Sequence, residues 1–240
     1  MSRIRFRYAV GEELKFLSHL DLTRLFHRAL RRSALPMDYT KGFNPHPRLS
    51  LAAPLPVGAT AAAEYGDIFF TREIGPDQFL RSVRHQLPEG LTLTGAACVA
   101  MEAPSLAALI NAASYEMIWS GAGPGPGEET LRPALQKMLD LKEVIVARRT
   151  KSGKTVEVDI RPFIFKATLE PSETAVPKVT LLLQLGGKGG VSPYAVLDLL
   201  DLNEALKPAH LWRLHRRGLY IYNEGKLICP FQEGGESISG

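Results

Sequence analysis

The chain has 240 residues, 45% apolar and 22% charged, with a formal charge of +4. These figures exclude a disordered chain, a collagen and a long coiled coil, and leave room for one large domain or two small ones. The charge is uneven: ten basic against four acidic residues over 1–50 (+6), five against ten over 51–140 (−5), and +3 over the remainder.

Arg3–Val10 alternates basic with apolar residues, placing Ile4, Phe6 and Tyr8 on one face and Arg3, Arg5 and Arg7 on the other, which predicts a strand. Ser18 and Asp21 have the spacing of a capping box, flanked by Leu17 and Leu22. Leu22, Leu25, Phe26, Ala29 and Leu30 then form one helical stripe, and Arg31 and Arg32 suit a helix C-terminus. A helix is expected over Ser18–Ser33. Leu35–Thr40 reads as a short strand. Lys41–Arg48, KGFNPHPR, holds one glycine and two prolines and is irregular. A strand resumes in Leu49–Leu55, and Val57–Gly58 turns. Glu64–Phe70 is a strand, Asp77–Leu87 a helix and Leu91–Ala100 a strand. The order is β-α-β-β-α-β, the ferredoxin-like signature.

After an alanine-rich connection, Glu102–Ala113, the second half repeats the order loosely. Ser114–Ser120 is a strand, Gly121–Gly127 a turn and Glu128–Leu141 a helix. Glu143–Arg149 and Val156–Ile160 form a hairpin around Lys151–Lys154, and Phe163–Glu170 extends it. Lys178–Leu185 is a strand and Gly186–Gly190 (GGKGG) a glycine loop. Ser192 caps a helix with Pro193 in its first turn, and Leu211–Asn223 and Lys226–Cys229 are strands. The expected fold is α+β, with two tandem ferredoxin-like domains. They cover residues 1–101 and 114–230, with an extra hairpin in the second, a linker at 102–113 and a flexible tail at 231–240.

Met1–Val10 has no signal-like apolar core, and no stretch approaches the length of a membrane span, so a soluble cytoplasmic protein with no membrane partner is expected. There is no Walker-type loop, no G-x-S-x-G and no H-E-x-x-H. Cys98 and Cys229 are too few for a disulfide scaffold, and they cannot hold the three irons of a radical SAM cluster. Two small buried thiols are expected. The six histidines form no close metal pair, so neither metal nor cofactor is expected. His27, His85 and His215 read as solvated. His19 opens the first helix and His46 lies in KGFNPHPR; a loop folded back over the helix start would make them neighbours and weak candidates for acid–base work.

In KGFNPHPR the prolines hold Asn44 and His46 in extended conformations. Lys41, Asn44, His46 and Arg48 then project from a stiff frame beside Phe43, as single-stranded RNA recognition requires. Phe43 is either a stacking ring or a core plug. Arg24, Arg28 and Arg31, with His27, lie away from the helical stripe. Arg148, Arg149, Lys151 and Lys154 crowd the hairpin tip, and Arg213, Arg216 and Arg217 lie near the last strand. Such clusters neutralise phosphates, or are solvated faces balanced by nearby acids. The amides of Gly187, Lys188 and Gly189 are a candidate anion site, or a plain surface turn.

Leu14–Ile68, with FLSHLD, GFNPHP and a PLPVG-type turn, resembles the radical-SAM-associated domain family, a bacterial family of unknown function. Arg148–Ile164 is also similar to that family's second half. The resemblance implies a radical SAM protein as partner, since members stand alone or are fused behind a cobalamin-binding radical SAM protein. More distantly, the helix and GFNPHP block resembles the first domain of CRISPR-type RAMP proteins, which pair two ferredoxin-like domains and bind RNA between them. There the glycine-rich loop follows the last helix, whereas GGKGG precedes one, so cleavage chemistry is not transferred. A non-catalytic RNA-binding or substrate-presenting partner of a radical SAM enzyme is expected. The alternatives are a metal-independent RNA-processing enzyme and a pure protein-interaction adaptor.

Overall fold

A computed structural model describes residues 1–149, 153–171, 177–187, 189–200, 202 and 206–231. It is a mixed α+β structure with a mostly antiparallel sheet. The expected flexible tail at 231–240 lies, beyond Phe231, outside the described residues, as do Lys151 and Lys188. The chain forms two compact units, one of residues 1–111 with 216 onwards, the other of residues 112–215.

In the first unit, β1 (Ser2–Val10) leads to α1 (His19–Arg32), β2 (Leu49–Leu51), β3 (Ala59–Phe70), α2 (Pro76–Arg84), β4 (Leu91–Val99) and a short α3 (Leu106–Leu109). From Arg216 on, β10 (Trp212–Asn223) and then β11 (Lys226–Ile228) complete it from the other end of the chain. The strand order is β4-β1-β3-β10, with β2 also beside β3 and β11 beside β10. Alternation along β1 gives the sheet two unlike faces. Ile4, Phe6 and Tyr8 enter a core with Leu22, Phe26 and Leu30 of α1 and Phe79 and Val83 of α2. The Phe6 ring lies 5.4 Å from Phe26 and 5.5 Å from Phe79. Gly66, the register partner of Phe6 on β3, leaves the space that the ring occupies.

The opposite face is also covered. Arg3 and Arg5 are buried, and both bond Asp67 of β3, at 2.6 Å and 2.9 Å. Further donors meet carbonyls of Ala103, Pro104 and Pro230, while the buried Arg3 Nε has no partner among the described residues. Two guanidiniums sharing one carboxylate stay buried because backbone oxygens supply the missing acceptors.

α1 follows its sequence closely. Ser18 is the N-cap: its hydroxyl accepts from the Asp21 amide at 3.2 Å and donates to the Asp21 carboxylate at 2.6 Å. The strand expected over Leu35–Thr40 is absent. Met37 and Tyr39 form single bridges, to Phe70 and Pro47. Pro36 cannot donate to a ladder, and Ala34 enters the segment at φ +55°.

The second unit contains β5 (Ala112–Trp119), α4 (Glu128–Asp140), a hairpin of β6 (Ile145–Arg149) and β7 (Thr155–Asp159), β8 (Ile164–Glu170), β9 (Lys178–Gln184) and α5 (Pro193–Leu199). The order β5-β9-β8 forms its sheet, and β6 and β7 pair separately. Leu131, Leu135 and Met138 of α4 are buried, as are Val179, Leu181 and Leu183 of β9. Arg161 satisfies the end of α4, donating to the carbonyls of Leu139 and Leu141 at 2.8 Å and 3.2 Å. Ser192 caps α5 by accepting from the Tyr194 amide. No helix among the described residues is long and apolar enough to cross a membrane.

Candidate nucleic-acid interface

The KGFNPHPR segment is a closed, stiff loop. The Thr40 amide donates to the His46 carbonyl at 2.9 Å, and the His46 amide to the Thr40 hydroxyl at 3.2 Å. Below this clasp the Arg48 amide donates to the Asp38 carbonyl, and the Asp38 amide to the Phe69 carbonyl, each at 2.8 Å. The tip, Lys41–Pro45, is exposed throughout. Gly42 stands at φ +133°, a backbone that side chains disfavour. Phe43 is exposed to 105% of its reference area. The core-plug reading is therefore wrong: among the described residues no element passes opposite the ring to bury it, so a large apolar ring stands in water.

The loop is fastened to the flank of α1. The His46 ring stacks on His27, with centroids 4.9 Å apart and planes 19° from parallel. Arg31 donates to the Pro45 carbonyl at 3.5 Å. The loop does fold back on the helix, but onto its second half. His46 meets His27, eight residues and about 12 Å of helix rise beyond His19. His27 is accordingly half-buried rather than solvated. Burial holds its imidazole below the ordinary value, aided by the charges of His46 and Arg31 and opposed by a hydrogen bond with the Pro47 backbone.

Basic residues on α1 divide by what they touch. Arg24 is exposed and lies 3.5 Å from Asp21, its own neighbour on the helix. Arg28 is exposed and makes no hydrogen bond or ion pair among the described residues. Arg48 is committed: it pairs with Asp38 at 2.6 Å, and its guanidinium lies 4.0 Å from the Phe69 ring centre. Lys41 and Asn44 project from the exposed tip beside Phe43. The fold thus gathers Arg24, Arg28, Arg31, Lys41, Asn44 and His46 on α1 and the loop fastened to it. Among the described residues no group of three acidic, histidine or cysteine side chains is placed to hold a metal ion.

His19 sits one residue inside the N-cap of α1. Its Nδ1 is buried and has no hydrogen-bond partner. Burial, and then the Arg216 charge, lower its pKa, so it is neutral at pH 7. Arg216 is a correction to the basic cluster of the last strand. Period-two alternation puts it inward with Trp212 and Leu214, while Arg213 and Arg217 face out. Its side chain, 1% exposed, is bidentate to the equally buried Glu64 and also donates to the Pro54 carbonyl at 2.9 Å. Cys98 is another correction: it is exposed, since it lies on β4 at the sheet edge, while Cys229 is half-buried and within 3.2 Å of the Tyr65 hydroxyl.

In the second unit Arg148 donates to the Gly190 carbonyl and Arg149 is exposed. Lys154 is exposed as well. Gly189 donates its amide to Gly186, and the Phe163 ring fills the space that a Gly189 side chain would need. Gly187 has nothing within 4 Å of its Cβ direction.

Two partners were hidden from sequence reasoning. Glu64 and Asp67 are the only acids in an otherwise small or apolar strand, and three residues apart they face opposite sides. That pattern signals two buried carboxylates, each needing a cation. The His27–His46 stack has no such signal.

The family model described as "Uncharacterized protein conserved in bacteria (DUF2344)" matches residues 3–193. The chain belongs to this family. No curated protein matches it. Among solved structures, a chain of "Crystal Structure of a Cbf5-Nop10-Gar1 Complex" is similar over 90% of this chain, at TM-score 0.41 and 10% identity. This chain spans about half of that one, 47%.

Proposed function

We propose that this protein is a non-catalytic RNA-binding, substrate-presenting partner of a radical SAM enzyme. The observation that carries the RNA reading is Phe43. A fully exposed ring contributes nothing to the folded core, and a tip held by two prolines and a backbone clasp presents it to a ligand without further ordering. Lys41 and Asn44 on the same tip offer donors beside it, and Arg28 on α1 is a further uncommitted cation. A stacking platform beside uncommitted cations is what sequence-tolerant binding of a single strand uses. Support for the radical SAM partner is the resemblance of Leu14–Ile68 to the radical-SAM-associated family, together with two free cysteines that cannot bind the cluster here. Tandem ferredoxin-like domains belong to the same reading. They are supported by β4-β1-β3 with β2 beside β3 in the first unit, and by β5-β9-β8 with an inserted hairpin in the second.

The test is ultraviolet crosslinking and pull-down of the full chain from cells. Recovery of crosslinked RNA and a radical SAM protein with the natural chain, and much less RNA with Phe43→Ala, is expected. Recovery of the radical SAM protein without RNA contradicts the RNA reading and leaves an adaptor.

A further inference from the structure

Between α1 and the turn following α2 lies an open groove of about 600 Å³, within the first unit. Leu17, Leu25 and Leu87 line it with apolar surface, and Arg28, Arg32, His85 and Asp21 are its polar lining. These charged groups differ in what they can still bind. Arg32 is a wall: its Nε donates to Gln86 Oε1 at 3.2 Å and its Nη2 to the Gln86 carbonyl at 2.5 Å. Asp21 is occupied by Ser18 at 2.6 Å and Arg24 at 3.5 Å. Arg28 makes no bond among the described residues, and His85 is exposed. What remains on offer is therefore an apolar floor with a guanidinium and an imidazole at its edge. That combination fits a flat, weakly polar body carrying an anion, and the volume falls in the range of small-ligand sites.

Helix geometry relates this groove to the loop. Residues 21, 25, 28 and 32 share the groove flank of α1, while His27 and Arg31 share the flank to which the loop is fastened. Arg24 lies between the two flanks and Arg28, four residues on, stands at the groove's edge, so the pair forms a ridge beside it. We propose that the groove is a nucleotide subsite, taking the base on Leu17, Leu25 and Leu87 and the phosphate at Arg28 and His85. The proposal rests on the RNA reading and extends it. A strand crossing α1 lays phosphates along the ridge, with one base in the groove and another on Phe43.

The experiment is a methyl NMR titration of the full chain, with labelled leucines, using AMP and UMP. Saturable shifts at Leu17 and Leu87 are expected at about millimolar nucleotide, weakened about tenfold by Arg28→Glu and unchanged by Phe43→Ala. Leu30 and Leu93, buried in the core of the first unit, report that the fold around the groove is intact. Silent groove methyls at about 10 mM nucleotide, with those controls in place, overturn the proposal. If AMP shifts the groove but a single-stranded RNA binds no tighter than AMP, the subsite stands and the RNA reading fails. If RNA binds through Phe43 while the groove methyls stay silent in both titrations, the subsite fails and the RNA reading stands.

Discussion

Phe43 has no burial to lose, so its replacement separates binding from folding. Phe43→Ala leaves the urea midpoint unchanged and weakens single-stranded RNA binding by about 1–3 kcal/mol, the range measured for a base stacked on a ring. Fluorescence anisotropy alongside urea denaturation checks both halves. His27 and His19 make a different prediction. Both have folded-state pKa values below the ordinary 6.5, chiefly through burial. Just below that value the unfolded chain holds more protons than the folded one. Stability is therefore complete above about pH 6.5 and is lost as the pH falls through the lowered values. Urea midpoints measured from pH 7.5 downwards will show this fall, and His27→Phe, which keeps a ring against His46, will reduce it. The residue scale was only partly legible. Asn44 and His46 are constrained by the prolines that follow them, a local effect. Whether Phe43 is buried depends on what lies opposite it, which no local pattern encodes.

At the scale of elements, α1 and its loop form a small device. Capping by Ser18 and an apolar stripe orient the helix, and the stripe's burial leaves Arg24 and Arg28 outside. These signals all lie within 16 residues, which is why this helix could be bounded almost to the residue. The loop's seat could not, because the His27–His46 stack is a contact between a helix and a segment with no periodicity. The strand expected over Leu35–Thr40 failed for a local reason, the missing Pro36 donor. If Arg28 meets phosphate, Arg28→Ala flattens the log–log dependence of RNA affinity on salt by about 0.7, the contribution of one contact to a single strand. Arg48→Ala behaves differently, since Arg48 is paired with Asp38 and stacked on Phe69. Its removal lowers thermal stability while leaving that slope nearly unchanged, as thermal melts and salt titrations of the two variants will show.

At the scale of the whole molecule, residues from 216 onwards return to complete the first unit. Arg216 and Glu64, 152 positions apart, bury a bidentate ion pair there. Most of the element order was readable, because the longer strands and helices carry their own period, whereas the segment over Leu35–Thr40 and the short α3 did not. This pairing was not readable, because charge alone does not tell an inward arginine from the outward Arg213 and Arg217. Removing one partner strands the other charge in the core. Arg216→Ala is expected to cost about 3–5 kcal/mol, whereas Arg216→Met with Glu64→Met together costs less than either alone. Chemical denaturation of the three variants checks this.

The exposed loop and the ridge of α1 are proposed to bind a single strand of RNA. The most direct test is an anisotropy titration of the full chain with single-stranded RNA at low and at physiological salt. Binding that weakens steeply with salt, and further on loss of the Phe43 ring, is the predicted result. Micromolar or weaker binding with no salt dependence, equal for the natural chain and Phe43→Ala, would contradict it.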